Sequence, residues 1–152
     1  MAKTLANKMD SAEIARRIGA LSPEAGRRWG IMSVGGMICH LDDSYQLALG
    51  ERNVAPVRVP VPRGLIKYLA LRTPMPWVKN MKTMDEVRQG AGGTCPGPFA
   101  DDRTRLLKTV ERFSACTTLA QALHPIFGSM SADDWLRWGW LHADHHLRQF
   151  NA

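Results

Sequence analysis

The chain has 152 residues, 45% of them apolar and 22% charged, which is typical of a globular protein and excludes disordered, collagen-like and coiled-coil chains. This length predicts a single domain spanning residues 1–152. The net charge of +6 comes from scattered basic residues without a run interleaved with aromatic residues, so we expect no nucleic acid partner.

Two helices are predicted in the first third of the chain. Asp10, followed by Glu13, forms a capping-box-like pattern that predicts a first helix from Ser11 to about Leu21. Ser33 is a typical N-cap, and it predicts a second helix from Val34 to about Gly50, where Gly50 is the C-cap.

The middle of the chain is rich in proline and glycine. Three prolines between Asn53 and Arg63 predict an extended connector, because proline disrupts a helix interior. A short helix is predicted from Gly64 to Arg72, ending before the Thr73–Pro74 pair. Residues 75–98 are predicted to be irregular, and so long a segment in a small domain usually has a functional or covering role.

Two long helices are predicted in the last third. Asp101 or Asp102 caps a helix that runs to about Leu123. Ser131 and Asp134 form a capping box for the final helix, which runs to about Phe150. Four substantial helices with one long irregular Pro/Gly-rich crossover predict an all-α fold, a four-helix bundle.

Histidines cluster on the predicted final helix. His142 and His146 are one turn apart, so their side chains project from one face, which also contains Trp135 and has His145 at its edge. A buried histidine pair without partners is costly, and a shared metal ion would satisfy both rings. The pattern H-A-D-H-H lacks the glutamate of the H-E-x-x-H zinc motif, so a metalloprotease is not predicted.

A third ligand must come from another helix, and His40 on the second helix is the best candidate. Three neutral nitrogens leave a coordination position open, as in catalytic zinc sites. Packing histidines without any metal are the alternative interpretation. Asp43, one turn after His40, is expected to orient a ligand imidazole or act as a general base, or only to pair with an arginine. Gln149 is expected to hydrogen-bond water or substrate near the metal.

Several segments resemble those of a known superfamily. Met37–Ser44 resembles the second-helix histidine motif of the DinB/YfiT-like metalloenzymes, while His124–Gly128 and Leu141–Gln149 resemble their closing segment. Trp29–Ser33 and Pro74–Trp77 look more narrowly like a bacterial branch of that superfamily whose function is not established.

The resemblance implies a DinB-like four-helix bundle that binds a divalent metal through His40, His142 and His146, and it implies frequent homodimers. It is poorly specific for the reaction, since better-studied relatives include hydrolase-like proteins and thiol-dependent S-transferases. The ion is expected to be Zn, Ni or Fe, and it would activate a water or a thiol on a small-molecule substrate. With a basic chain, that substrate is expected to be anionic or thiol-bearing.

A non-enzymatic function is the alternative hypothesis. The chain would then be a dimeric helical stress or binding protein whose metal is structural or vestigial. A second apolar stripe on the final helix would be either the dimer surface or a second buried face; it consists of Leu136, Trp140 and Leu147.

Localisation is predicted to be cytoplasmic, without membrane contact. A membrane span needs about 18 apolar residues, and the longest strongly apolar stretch, Leu65 to Leu71, is far shorter and contains Lys67. Met1 to Asp10 has no apolar core of the secretory type. The cysteines are odd in number, widely spaced and free of C-x-x-C pairs, which fits a reducing compartment.

Overall fold

The computed structural model describes residues 2–152, apart from the side chain of Ala120. These residues form five α-helices: α1 (Lys8–Gly19), α2 (Val34–Ala48), α3 (Arg63–Arg72), α4 (Phe99–Ala115) and α5 (Ala132–Gln149). Strands β1 (Leu123–His124) and β2 (Gly128–Ser129) pair antiparallel, and single 3₁₀ turns lie at Asp85–Val87 and Leu119–Gln121. The prediction of a mainly helical chain is thus confirmed. Within residues 2–152, none of the helices combines the length and apolar character needed to cross a bilayer.

The N-caps predicted for the two histidine-bearing helices are both present. The side chain of Ser33 accepts a hydrogen bond from the backbone N–H of Gly36 and begins α2. Ser131 and Asp134 form a complete capping box at the start of α5, with each side chain bonded to the other's backbone N–H. Local sequence therefore determines where both site-forming helices begin.

The predicted start of the first helix was wrong by one turn. The side chain of Asn7 accepts the N–H groups of Met9 and Asp10, so α1 begins at Lys8 and not at Ser11. The carboxylate of Asp10 instead accepts the backbone N–H of Thr4, which leaves it unable to cap a helix at Ser11.

The predicted end of the third long helix was also wrong. Helix α4 ends at Ala115, well before Leu123, because Cys116 already has extended backbone angles (φ −76°, ψ 128°). The chain then turns so that Leu119 becomes fully buried. Burial of this side chain in the core competes with continuation of the helix, and local periodicity does not reveal that competition.

Helices α2 and α5 are joined deep in the core. The hydroxyl of Tyr45 donates to the backbone oxygen of Gly139 at 2.8 Å, although Tyr45 is fully buried. Gly139 also lies against α4, since a Cβ there would be only 2.6 Å from Cε1 of Phe113. A side chain at this position would push the helices apart, so glycine sets the spacing between α5 and its neighbours.

Ion pairs attach the outer helices to α5. Arg17 of α1 binds the carboxylate of Asp144 at 2.7 Å and also donates to the backbone oxygen of Ala152. Asp134, at the start of α5, binds both Lys67 and Arg72 of α3. Opposite charges therefore hold the two ends of α5 in place.

The second apolar stripe of α5 is buried within the chain. Leu136, Trp140 and Leu147 are exposed by only 9%, 6% and 0%. The helix is thus buried on two sides, and the stripe is a second buried face, as one of its two interpretations predicted. The homodimer stays a prediction from the resemblance alone.

His124 is a neutral structural residue at the end of β1, and it holds the turn that leads to β2. Its Nδ1 accepts the backbone N–H groups of both Ile126 and Phe127, each at 3.1 Å. Its ring stacks on that of Phe127 with centroids 4.3 Å apart. Burial, with a contribution from nearby Arg63, lowers the pKa of His124 to about 3.

Substitution of Gly139 tests the helix spacing. We expect Gly139→Ala to destabilise the protein by about 1–3 kcal/mol, because the added methyl group collides with Phe113. Gly64 in α3 is the control, since a Cβ there has open space around it and Gly64→Ala should stabilise by up to about 1 kcal/mol. Urea unfolding measures both, and a Gly139→Ala protein as stable as the native chain would contradict the close approach.

The buried His124 predicts a specific loss of stability in acid. In the unfolded state His124 binds a proton below about pH 6.5, whereas in the folded state it does so only near pH 3. As the pH falls from 6.5 to 3, the free energy of unfolding therefore decreases by about 1.4 kcal/mol per pH unit. His124→Asn keeps a hydrogen-bond acceptor but cannot titrate. Urea unfolding of the metal-free proteins should show the native chain losing stability relative to His124→Asn from pH 7 to 4. Parallel pH profiles would disprove the assignment.

Candidate metal centre

Three histidines from two helices converge at one point. His40 comes from α2, while His142 and His146 come from α5, and one ring nitrogen of each lies within 4.8 Å of the others. The Nε2 atoms of His40 and His142 are 3.2 Å apart. Nitrogen ligands at about 2.0–2.1 Å from a tetrahedral ion are separated by about 3.3 Å. This group could therefore hold a metal ion, and the predicted convergence of the three rings is present.

The tautomers of two of these rings are set by oxygen acceptors. Nδ1 of His40 faces the backbone oxygen of Val87 at 3.0 Å, and Nδ1 of His146 faces Oε1 of Gln149 at 3.0 Å. Because an oxygen acceptor requires an N–H donor, both rings carry their proton on Nδ1. Their Nε2 atoms are therefore acceptors, and that of His40 faces Nε2 of His142. Both lone pairs are of the kind that can bind a cation.

The third ring, that of His142, has an unsatisfied nitrogen. Among the described residues, its buried Nδ1 has no hydrogen-bond partner. The ring centroid lies 4.8 Å from that of Trp138 and 6.0 Å from that of Trp77. An unpaired polar atom in such aromatic surroundings is costly, and coordination through Nε2 is an interaction that would offset the cost.

Burial keeps the cluster uncharged. His40 and His142 are exposed by only 7% and 9%. Desolvation lowers the pKa of His40, and it lowers those of His142 and His146 further because the neighbouring rings repel a second proton. Neutral imidazoles are the form in which histidine binds metals, so the cluster is ready for coordination at neutral pH.

Glycines let the irregular segment supply the oxygen that orients His40. Val87 ends the 3₁₀ turn Asp85–Val87, and its backbone oxygen faces the ring. Gly92 and Gly93 fold back onto this turn, where a Cβ would lie 2.9 Å from Cα of Glu86 and 2.7 Å from the carbonyl carbon of Val87. Part of the glycine-rich segment thus serves to place one backbone carbonyl.

Asp43 does not orient a ligand imidazole directly. Its buried carboxylate binds Arg52 at 2.8 Å and accepts both the N–H and the hydroxyl of Thr94 at 2.7 Å. Arg52 also donates to the backbone oxygens of Glu86 and Gly92. The acceptor for the ring of His40 is therefore the backbone oxygen of Val87 and not the carboxylate of Asp43. Asp43 instead anchors the segment that contains Val87.

Gln149 is bonded to a histidine of the cluster. Its Oε1 accepts from His146, and its Nε2 donates to the backbone oxygen of Trp29 at 2.9 Å. The carbonyl of Trp29 fixes which end of the amide faces the ring. Gln149 is only 4% exposed, and its contact with His146 positions that ring. The hydrogen bond to water or substrate expected from the sequence stays a prediction.

Sequence reasoning missed several residues beside the cluster. Trp29 and Trp77 both lie beside His145, with ring centroids 5.8 and 6.1 Å from its own. Nζ of Lys79 is 4.4 Å from the centroid of Trp29. Both tryptophans lie in segments that carry the resemblance, Trp29–Ser33 and Pro74–Trp77, and that resemblance is the signal that could have indicated a role at the site. Nothing local indicated Val87, since any residue has a carbonyl.

The side of the cluster near His145 is the most accessible. His145 and His146 are partly exposed, while His40 and His142 are nearly buried. Two cavities, of 320 and 400 Å³, are lined by residues outside the three-histidine cluster.

Comparison with known proteins gives the family. Residues 7–152 match the family model described as "Protein of unknown function (DUF1569)", and the chain belongs to this family. Comparison with curated proteins gave no match. Comparison with solved structures gave none either. The family description assigns no activity, so the function must be argued from the site itself.

The bond from Gln149 to His146 predicts an effect on metal affinity. We expect Gln149→Leu to weaken zinc binding by about 10- to 100-fold, because the acceptor that orients His146 is lost. Gln149→Glu keeps an acceptor at this position and should largely restore affinity. Titration against a chelating indicator dye measures both variants. Equal affinities for Gln149→Leu and the native chain would show that the contact does not orient a ligand.

Proposed function

We propose that the chain is a metal-dependent enzyme of the DinB/YfiT-like type, in which His40, His142 and His146 hold a divalent ion. The observation that carries the proposal is the convergence of three uncharged imidazoles with two Nε2 lone pairs set by oxygen acceptors on Nδ1. Three neutral ligands leave the positive charge of an ion uncompensated, as in catalytic zinc sites.

The arrangement of the helices supports this assignment. Helices α1, α2, α4 and α5 are the four long helices, and α3 lies in the long connection between α2 and α4. This order fits a four-helix bundle with one long crossover, in which ligands come from facing helices. The resemblance of the His40 and His142–Gln149 segments to the superfamily points to the same metal site.

The residues of the chain would divide the work of the reaction. A bound Zn, Ni or Fe ion would supply Lewis acidity, lowering the pKa of a coordinated water or thiol toward neutrality. The three histidines hold the ion, while Val87 and Gln149 fix two of the rings. Asp43 and Arg52 anchor the segment that contains Val87. The substrate would be a small anionic or thiol-bearing molecule, and the reaction a hydrolysis or a thiol S-transfer.

A non-enzymatic function is the second candidate, and one observation favours it. Two of the three rings, those of His40 and His142, are nearly buried, which restricts the access of a substrate to the cluster. The metal would then stabilise a binding or stress protein instead of activating a substrate. We retain homodimer formation and cytoplasmic localisation as further predictions, together with the absence of nucleic acid and membrane partners.

Metal analysis of protein purified without a chelating tag tests the proposal. We expect about one equivalent of divalent metal per chain, and each of His40→Ala, His142→Ala and His146→Ala should weaken zinc binding by at least about 100-fold, since two ligands hold an ion poorly. His124→Asn is the control, because His124 lies outside the cluster. Less than a tenth of an equivalent under every loading condition would exclude a metal site.

Catalysis is tested separately on the loaded protein. A panel of small esters, amides and thiol acceptors should reveal turnover that disappears with the metal and returns on its replacement. Tight metal binding without turnover, together with a large gain in thermal stability on loading, would favour the structural alternative.

A further inference from the structure

Two loops from distant parts of the chain form a rim beside the three histidines. The rim consists of Trp29 from the segment before α2, Trp77 and Lys79 from the segment after α3, and His145 of α5. His145 contacts both indole rings, and its own ring centroid is 5.2 Å from that of His146. The rim thus borders the accessible side of the cluster.

The backbone at the rim is held in a specific conformation. Gly30 and Asn80 both have positive φ, of 76° and 58°. A Cβ on Gly30 would be 2.8 Å from Nε2 of Gln149 and 3.8 Å from Oδ1 of Asn80, so the loops meet each other and the residue that orients His146. Left-handed backbone is readily adopted by glycine and tolerated by asparagine. The backbone next to Lys79 is therefore fixed by the conformation of Asn80 and by its contact with the Gly30 loop.

The charge at the rim is positive. Lys79 lies over the ring of Trp29, and the guanidinium of Arg28 is 6.0 Å from the same ring. The nearest acidic residue on α5, Asp144, is already bound by Arg17 and Arg148. Within residues 2–152, no carboxylate forms an ion pair with Lys79. A cation beside partly buried indoles attracts a ligand that is negatively charged and has an apolar part.

We propose that this rim is a subsite for the anionic group of a small molecule whose other end reaches the three-histidine cluster. The ammonium group of Lys79 selects the negative charge, and Trp29 and Trp77 pack against the carbon skeleton. The inference rests on the proposed metal-dependent function and adds the residues that determine its substrate class. Lys79 is a binding residue here and has no role in holding the metal.

Three small thiols of similar size test the subsite. Mercaptoacetate is anionic, 2-mercaptoethanol is neutral and cysteamine is cationic, so they differ mainly in the charge opposite the thiol. We expect the zinc-loaded protein to bind mercaptoacetate at least about fivefold more tightly than cysteamine, as measured by calorimetry, with 2-mercaptoethanol between them.

Removal of one charge should change this preference. Lys79→Gln should lower the ratio of the two affinities by about threefold or more, because a unit charge near the anionic group is lost. Lys82→Gln is the matched control, with the same charge change at an exposed position of the same segment, and it should leave the ratio nearly unchanged. Zinc stoichiometry should stay the same in both variants.

A second measurement uses the metal-free protein. Trp135, Trp138 and Trp140 are exposed by 0%, 4% and 6%, whereas Trp29 and Trp77 are partly exposed, so external quenchers report on the rim. Relative to its quenching of free N-acetyltryptophanamide, iodide should quench the tryptophan fluorescence more strongly than caesium does, and Lys79→Gln should reduce that difference.

The outcomes separate the two proposals. If zinc binds but the preference for mercaptoacetate is absent or insensitive to Lys79→Gln, the subsite is overturned and the metal site stands. If no zinc binds, the proposed function fails, and the quenching experiment alone decides whether the rim attracts anions. Equal quenching by iodide and caesium, each normalised to its quenching of free N-acetyltryptophanamide, would overturn the subsite in either case.

Discussion

The close approach of α2 and α5 is the constraint on which the rest of the structure depends. Tyr45 bonds to the backbone of Gly139 one helical turn away from His142, and Gly139 leaves no room for a side chain against Phe113. Because helices are stiff over such distances, this contact also sets the separation of His40 and His142, whose Nε2 atoms are 3.2 Å apart. A wider spacing would move the rings out of reach of a shared ion.

Desolvation keeps the three rings of the cluster uncharged, and a segment of irregular backbone orients one of them. The helices bury the rings and lower their pKa values, so that neutral imidazoles and not imidazolium cations face the centre. The helices alone do not orient His40, because its Nδ1 partner is the carbonyl of Val87 in a 3₁₀ turn. Asp43 holds that turn through Arg52 and Thr94. Asp43 thus affects the orientation of His40 indirectly, by holding the loop that contains Val87.

The helices and the loops therefore have different functions in the proposed enzyme. Helices α2 and α5 supply all three ligand rings, whereas the rim that a substrate would meet comes mainly from the segments around Trp29 and Trp77. Loops tolerate sequence change better than packed helices.

The sequence by itself predicted the helical class, the caps of α2 and α5 at Ser33 and Ser131, and the pairing of His142 with His146, because capping and helical periodicity are local interactions. It also indicated His40, from its position on an inward face. Only the tertiary structure decided that Asp43 binds Arg52, that Gln149 bonds to His146, and that Val87 orients His40. Which partner each of these side chains contacts depends on the folded chain around it. A backbone carbonyl such as that of Val87 is common to all residues, so the sequence cannot indicate it.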